Sequence, residues 1–118
     1  MTKKEFLLTL ENQSIEKDLV EKIEYQYGFA LPIVAQKIVS ASKESIFFDD
    51  DWRTLSFQEI IDASSDLHVN FEDKKLIPLI DTGENDFIVY CAEDNTWSKF
   101  NIVEECHFKI KKSFWEFF

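Results

Sequence analysis

Apolar residues recur at helical spacing in the first half of the chain. One stripe repeats every four residues between charged positions and comprises Ile15, Leu19, Ile23 and Tyr27. This spacing predicts an amphipathic helix over residues 15–27. Ser14 is placed to cap its start, and Gly28 is placed just past its end, where a left-handed residue is commonly found.

Two further helices are predicted in the same half. Pro32 needs no backbone donor and favours the first position of a helix over residues 32–42, whose inward stripe is Val34, Ile38 and Val39. Ser56 and Glu59 form a capping-box pattern, which predicts a helix over residues 57–64. Between these helices, residues 45–48 are predicted to be a short strand, and residues 49–52 an exposed loop.

The second half of the chain has the spacing of β-strands. Apolar runs at residues 76–80 and 87–91 and a third strand at residues 96–102 are separated by polar turns at residues 81–86 and 93–95. This pattern predicts an antiparallel meander. Ser113 is placed to cap a last short helix over residues 114–118. Helices followed by a meander indicate an α+β fold, with helices packed on a small antiparallel sheet, in a single domain over residues 1–118.

Composition limits the classes of protein to which the chain can belong. The chain has 118 residues, of which 45% are hydrophobic, and this is enough for one core. No apolar run approaches the length of a membrane span, and the N-terminal apolar stretch is too short for a signal peptide. Cys91 and Cys106 fit no disulfide or zinc pattern, so we expect free thiols and a cytoplasmic protein.

Charge indicates the kind of partner. The formal net charge is −10, and residues 44–105 hold sixteen acidic residues against four basic ones. An acidic surface repels phosphate backbones, so we expect no nucleic-acid partner. Such a surface suits a basic protein, although acidic solvated faces also serve solubility alone. The lysines of residues 109–112, near Trp115, form a second candidate surface.

Motifs that could carry chemistry have simpler explanations. Asp81-Thr82-Gly83 matches the triplet of aspartic proteases, but Glu84 follows it and no glycine-rich flap is present. We predict a hairpin turn there, in which Asp81 and Asn85 bond the backbone and Gly83 has a positive φ. The aspartates at 49–51 lack the spacing of a calcium loop, and Cys106-His107 lacks ligand spacing. We therefore predict no catalytic residue, metal or cofactor.

Several segments together resemble the SMI1/KNR4 (SUKH) superfamily. They are Leu31-Pro32, the step from Trp52 to Leu55-Ser56, Ile77-Pro78-Leu79-Ile80-Asp81, Asp86-Phe87-Ile88-Val89-Tyr90, and Trp97 followed by Phe100. The resemblance covers residues 14–118. It implies an α+β fold with a small central sheet. It also implies a role, which is that of a bacterial immunity protein that neutralises a polymorphic toxin or, in fungi, that of a protein of cell-wall regulation.

We therefore expect a non-enzymatic module that binds another protein, most specifically an immunity protein that occludes a basic toxin domain encoded nearby. Acidic turns would steer the partner, and two tryptophans at the sheet rim would supply contact area. The expected partner-binding residues are Asp49, Asp50, Asp51, Trp52, Glu84, Asp86, Glu93, Asp94 and Trp97. A regulatory scaffold, and a small hydrolase that uses carboxylates, are the alternatives. The sequence leaves the oligomeric state open.

Overall fold

The computed structural model describes every residue from 1 to 118 and contains helices and one sheet in the chain order expected of an α+β fold. The α-helices are α1 (Lys3–Glu11), α2 (Lys17–Tyr27), α3 (Ile33–Ala41), α4 (Phe57–Leu67) and α5 (Phe71–Lys74). The strands are β1 (Phe47–Phe48), β2 (Trp52–Thr54), β3 (Leu76–Gly83), β4 (Asp86–Cys91), β5 (Thr96–Asn101) and β6 (Cys106–Lys111). A 3₁₀ helix, Phe114–Phe117, ends the chain.

The six strands form one antiparallel sheet in sequential order, so the predicted meander is confirmed and extended at both edges. In β3 and β4, residues 76–80 and 87–91 are all buried. Successive side chains of a strand point to opposite faces, so these two strands are covered on both faces. Leu79 is the extra residue of a bulge, because Pro78 pairs with Val89 while Ile80 pairs with Ile88.

Each face of the sheet has its own cover. On one face, Phe71 of α5 packs edge-on against Phe100 of β5, with ring centroids 6.1 Å apart. On the other, Phe114 of the 3₁₀ helix packs against Trp97 at 5.1 Å. Rings of α1, β1 and the C-terminal residues continue that second layer. One contiguous core of 27 buried residues results.

Local signals located α3 and α4, although Pro32 is the N-cap of α3 rather than its first residue. The capping box opens α4, since the Glu59 N–H donates to Ser56 Oγ at 3.2 Å and the Ser56 N–H donates to Glu59 Oε1 at 2.9 Å. Gly28 ends α2 with a φ of 82°, as its position predicted. The helix α4 continues to Leu67, three residues beyond the predicted end.

The predicted start of α2 is wrong. Ser14 lies outside the helix, and Glu16 occupies the N-cap position. The Glu16 N–H donates to Ser40 Oγ of α3 at 2.8 Å, so a contact between helices determines where the chain turns. As a result Val20 is buried in the helix, whereas Ile15 remains 37% exposed.

Four elements were not predicted: α1, β2, α5 and β6. In α1 only Phe6 and Leu10 are buried, which is too short a pattern to indicate a helix, although Thr2 and Glu5 form a capping box. The strand β6 lies at the sheet edge and none of its residues is fully buried, so it has no run of inward apolar positions. Trp52, expected in a loop, is the first residue of β2.

A buried hydrogen bond between α2 and α4 provides a test of this packing. The Tyr27 hydroxyl donates to the Ile60 carbonyl oxygen at 2.6 Å. Burial, and then the Glu72 charge, raise the pKa of Tyr27, so its hydroxyl keeps its proton at neutral pH. We expect Tyr27→Phe to lower the free energy of unfolding by about 1–2 kcal/mol, because a buried carbonyl loses its donor.

Urea denaturation measures this difference, and Tyr25→Phe is the matched control because the Tyr25 side chain is 92% exposed. Equal midpoints for the two variants would contradict the structural role assigned to Tyr27.

Candidate functional site

The direction of the strands divides the predicted acidic surface in two. The β1–β2, β3–β4 and β5–β6 turns lie at one end of the sheet, whereas the β4–β5 turn lies at the other, because successive strands run in opposite directions. The Ile102 N–H donates to the Asn85 carbonyl oxygen at 3.0 Å and links two of the turns. Glu93 and Asp94 are therefore apart from the other predicted acidic residues.

We call the first group the acidic end. It consists of the predicted residues Asp49, Asp50, Asp51, Glu84 and Asp86, together with Glu104 and Glu105 of the β5–β6 turn. The last two were missed because β6, which creates their turn, was not predicted. Glu105 forms an ion pair with Lys74 at 3.3 Å, and Asp86 accepts a hydrogen bond from Asn101 Nδ2 at 2.8 Å.

The β1–β2 turn contains both bound and free carboxylates. Asp49, with a φ of 53°, forms an ion pair with Lys3 at 3.6 Å, and its backbone N–H donates to the Met1 carbonyl oxygen at 2.6 Å. Asp50 and Asp51 are exposed and form no ion pair. The charges that remain available in this turn are those of Asp50 and Asp51.

The β3–β4 turn is tighter than predicted. Asp81, Thr82 and Gly83 belong to β3, and the turn itself is Glu84-Asn85, with φ values of 55° and 67°. Positive φ at both central residues is what a type I′ hairpin turn requires. As predicted, Asp81 Oδ1 accepts the Gly83 N–H, at 2.9 Å, and Gly83 has a φ of 93°. The predicted side-chain bond from Asn85 is absent.

Arg53 of β2 joins the acidic end to α4. Its Nη1 lies 2.9 Å from Glu59 Oε1, and its Nη2 lies 3.4 Å from Asp81 Oδ2. Burial by itself raises the pKa of Glu59, but hydrogen bonds from Arg53, Ser56 and Ser45 and the Arg53 charge outweigh it and lower the pKa to about 2. Both carboxylates, Glu59 and Asp81, are thus held in ion pairs with Arg53.

A cavity of about 370 Å³ opens beside this ion network. Its apolar lining comes from Leu55, Ala63, Leu67, Phe87 and Ile102. Asp66 and Glu84 also line it, and both are exposed and form no ion pair. An apolar floor with carboxylates at the rim fits a long basic side chain, whose methylene groups pack while its charge stays at the rim.

Phe47 lies next to the acidic end and was not predicted as a contact residue. It is 69% exposed and shares a surface groove with Asp51, Glu84 and Asp86. The sequence does contain a signal for it. Phe47 and Phe48 are adjacent in a strand, so their rings point to opposite faces, and Phe48 alone is taken into the core.

The two predicted tryptophan contacts do not lie on the surface as expected. Trp97 is only 4% exposed and packs against Tyr90 and Phe114, with ring centroids 5.2 and 5.1 Å away, so it is a core residue. Trp52 is half-buried, with its ring against the edges of Phe48 and Phe118 at 6.1 and 5.7 Å. Residues 114–118 contribute to both burials, because Phe114 packs on Trp97 and Phe118 packs on Trp52.

The remaining reactive side chains are scattered. Cys91 is buried and Cys106 is exposed, both as free thiols. His107 Nδ1 lies 2.8 Å from Ser98 Oγ, and burial, followed by the Lys74 charge, lowers the pKa of His107 against the opposing effect of Asp94. No three His, Cys, Asp or Glu side chains converge in an arrangement suited to a metal ion.

Comparison with known proteins adds no relative. No protein-family model matches the chain, and neither curated proteins nor solved structures give a significant match. No helix in the structure has both the length and the apolar character needed to cross a bilayer.

The Arg53–Glu59 pair gives a pH-dependent prediction. Because the Glu59 pKa is lowered from 4.5 to about 2, its charge stabilises the fold fully above about pH 4.5, and this stabilisation is lost as pH falls toward 2. The side chain is 40% exposed, so we expect Glu59→Gln to cost only about 1 kcal/mol at pH 7. Glutamine can still complete the capping box, so the change isolates the charge.

Urea denaturation of both proteins at pH 7, 4.5 and 2.5 measures the effect, with the exposed Glu21→Gln as control. The difference between Glu59→Gln and the unmodified chain should shrink at the lowest pH. A difference that stays constant across these pH values would show that the ion pair does not contribute in this way.

Proposed function

We propose that this chain is a non-enzymatic, cytoplasmic immunity protein of the SMI1/KNR4 type, which neutralises a basic toxin domain by stoichiometric binding. The observation that carries the proposal is the acidic end, where Asp50, Asp51 and Glu84 are exposed and unpaired beside a carboxylate-rimmed cavity. The resemblance of residues 14–118 to that superfamily supplies the biological role.

Electrostatic steering is the first step of the proposed binding. The unpaired carboxylates add to the field of a chain whose net charge is −10. Such a field speeds the encounter with a basic partner and is screened over roughly 8 Å at physiological salt. The charge of Arg53 is balanced locally by Glu59 and Asp81, so it weakens this attraction little.

Docking is the second step. A lysine or arginine of the toxin would enter the cavity, with its methylene groups against Phe87 and Leu55 and its charge near Asp66 and Glu84. Phe47, beside this opening, offers apolar area that a partner can desolvate. A central aromatic contact surrounded by charged residues is the usual composition of an interface with a few dominant residues. The toxin would thus be occluded without chemical change.

The steering step predicts a selective effect on association. We expect the triple variant Asp50→Asn, Asp51→Asn, Glu84→Gln to bind the toxin domain encoded beside it with an association rate reduced about tenfold at low salt. Its dissociation rate should change less. The control triple variant Asp18→Asn, Glu21→Gln, Glu93→Gln removes the same charge from exposed residues elsewhere.

Surface plasmon resonance at two salt concentrations measures both rates, and growth of cells that co-express the toxin domain reports neutralisation. The proposal fails if the unmodified chain neither binds nor protects. The assignment to the acidic end fails if both triple variants slow association equally while melting temperatures are unchanged.

The docking step predicts the opposite kinetic signature for Phe47. We expect Phe47→Ala to raise the dissociation rate about 30-fold, equivalent to ~2 kcal/mol, with little effect on association. Tyr25→Ala is the control, since it removes another exposed ring, from α2. If Phe47→Ala leaves the dissociation rate unchanged, Phe47 is not the dominant contact, and that contact lies elsewhere on the acidic end.

A further inference from the structure

A second groove, of about 520 Å³, has the charge opposite to that of the acidic end. It lies on the sheet face of Trp52, between the start of α1 and the C-terminal 3₁₀ helix. It is lined by Lys3, Trp52, Lys99, Lys109, Lys111, Glu116 and Phe117. We call it the lysine groove. Four lysines and one glutamate thus gather in a chain whose net charge is −10.

Most of these cations have no partner within the chain. Lys99, Lys109 and Lys111 form no ion pair, and Lys3 alone is paired, with Asp49 at 3.6 Å. The one glutamate is already engaged, because Glu116 Oε2 accepts the Ser113 N–H at 3.0 Å. Three of the four lysines in the groove therefore carry a positive charge that no ion pair neutralises.

The ring of Trp52 contacts two of the cations. The ammonium groups of Lys3 and Lys99 lie 4.0 and 5.0 Å from the centre of its ring. Burial lowers the pKa of Lys99, and the charges of Lys109 and Lys3 lower it further, against the opposing effect of Asp86. An anion bound among these groups would relieve their mutual repulsion.

Protection of a sheet edge explains only part of this arrangement. Lysines on an edge strand discourage pairing with other chains, and Lys109 and Lys111 lie on β6, the edge strand. That role does not account for Lys99, which lies on the interior strand β5, or for Lys3 on α1. Lysines from three separate elements line this one groove, and two of them lie over the ring of Trp52, which is the composition of a binding site.

We propose that the lysine groove binds an acidic peptide segment of a partner protein. Carboxylates would lie among Lys99, Lys109 and Lys111, and an apolar side chain of the peptide would cover Phe117 and the exposed part of Trp52. A short peptide can confine its charge to the groove. A nucleic acid cannot, because its regular phosphates would continue past Lys3 onto the aspartates of the acidic end.

This inference does not depend on the toxin complex, since it concerns a groove of the opposite charge. Lys99 is the one residue of the lysine groove that also lines the groove beside Phe47. The probe is a short fluorescein-labelled peptide of glutamate and leucine, titrated by fluorescence anisotropy. We expect the triple variant Lys99→Gln, Lys109→Gln, Lys111→Gln to weaken binding about tenfold, because it loses three partly exposed ion pairs with the carboxylates of the peptide. The control triple variant Lys17→Gln, Lys22→Gln, Lys75→Gln changes net charge equally at exposed positions and should bind normally.

Four outcomes would overturn the proposal. One is the absence of peptide binding by the unmodified chain, and another is equal loss in both triple variants when their melting temperatures are unchanged. A third is tighter binding of a labelled oligothymidylate at the same lysines, which would make the ligand a nucleic acid. The fourth is a molar mass that rises with concentration and depends on these lysines, which would make the occupant a second copy of the chain. Asp50→Asn with Asp51→Asn should leave peptide binding intact.

Discussion

Burial of β3 and β4 on both faces is the constraint on which the rest of this fold depends. All ten residues at positions 76–80 and 87–91 are buried, so the sheet needs a covering layer on each face. Helices α4 and α5 supply one layer, and aromatic rings of the chain ends supply the other. Of these two strands only the ends and the turn between them remain in water, so their polar residues that can meet a partner are found there.

Arg53 limits the number of carboxylates that are free to bind a partner. It engages Glu59 and Asp81, and it thereby converts two surface carboxylates into structural groups that join β2, α4 and β3. Removal of Arg53 would leave those carboxylates close together and uncompensated. The charge offered to a partner is therefore smaller than the composition suggests, and it is located more narrowly, at Asp50, Asp51 and Glu84.

The sequence predicted those parts of the fold whose signals are local. The capping box of Ser56 and Glu59 identified α4, and the apolar run at residues 87–91 identified β4. Features that depend on distant contacts could not be predicted. Trp97 was expected at the rim of the sheet, but Phe114 covers it. Glu93 was expected near Glu84, but their turns lie at opposite ends of the sheet because successive strands run in opposite directions. The sequence thus predicted a candidate site in acidic turns, but it did not show which of those turns lie at the same end of the sheet.

The aromatic layer joins the two ends of the chain. Phe6 of α1 stacks on Phe48 with ring centroids 4.0 Å apart, and Phe118 lies 6.1 Å from Phe6. Residues 114–118 are synthesised after every strand, so they cannot cover this face of the sheet until they have left the ribosome. The nascent sheet would expose Trp97 and its neighbours until residues 114–118 emerge, and during that interval it is open to aggregation and to chaperones.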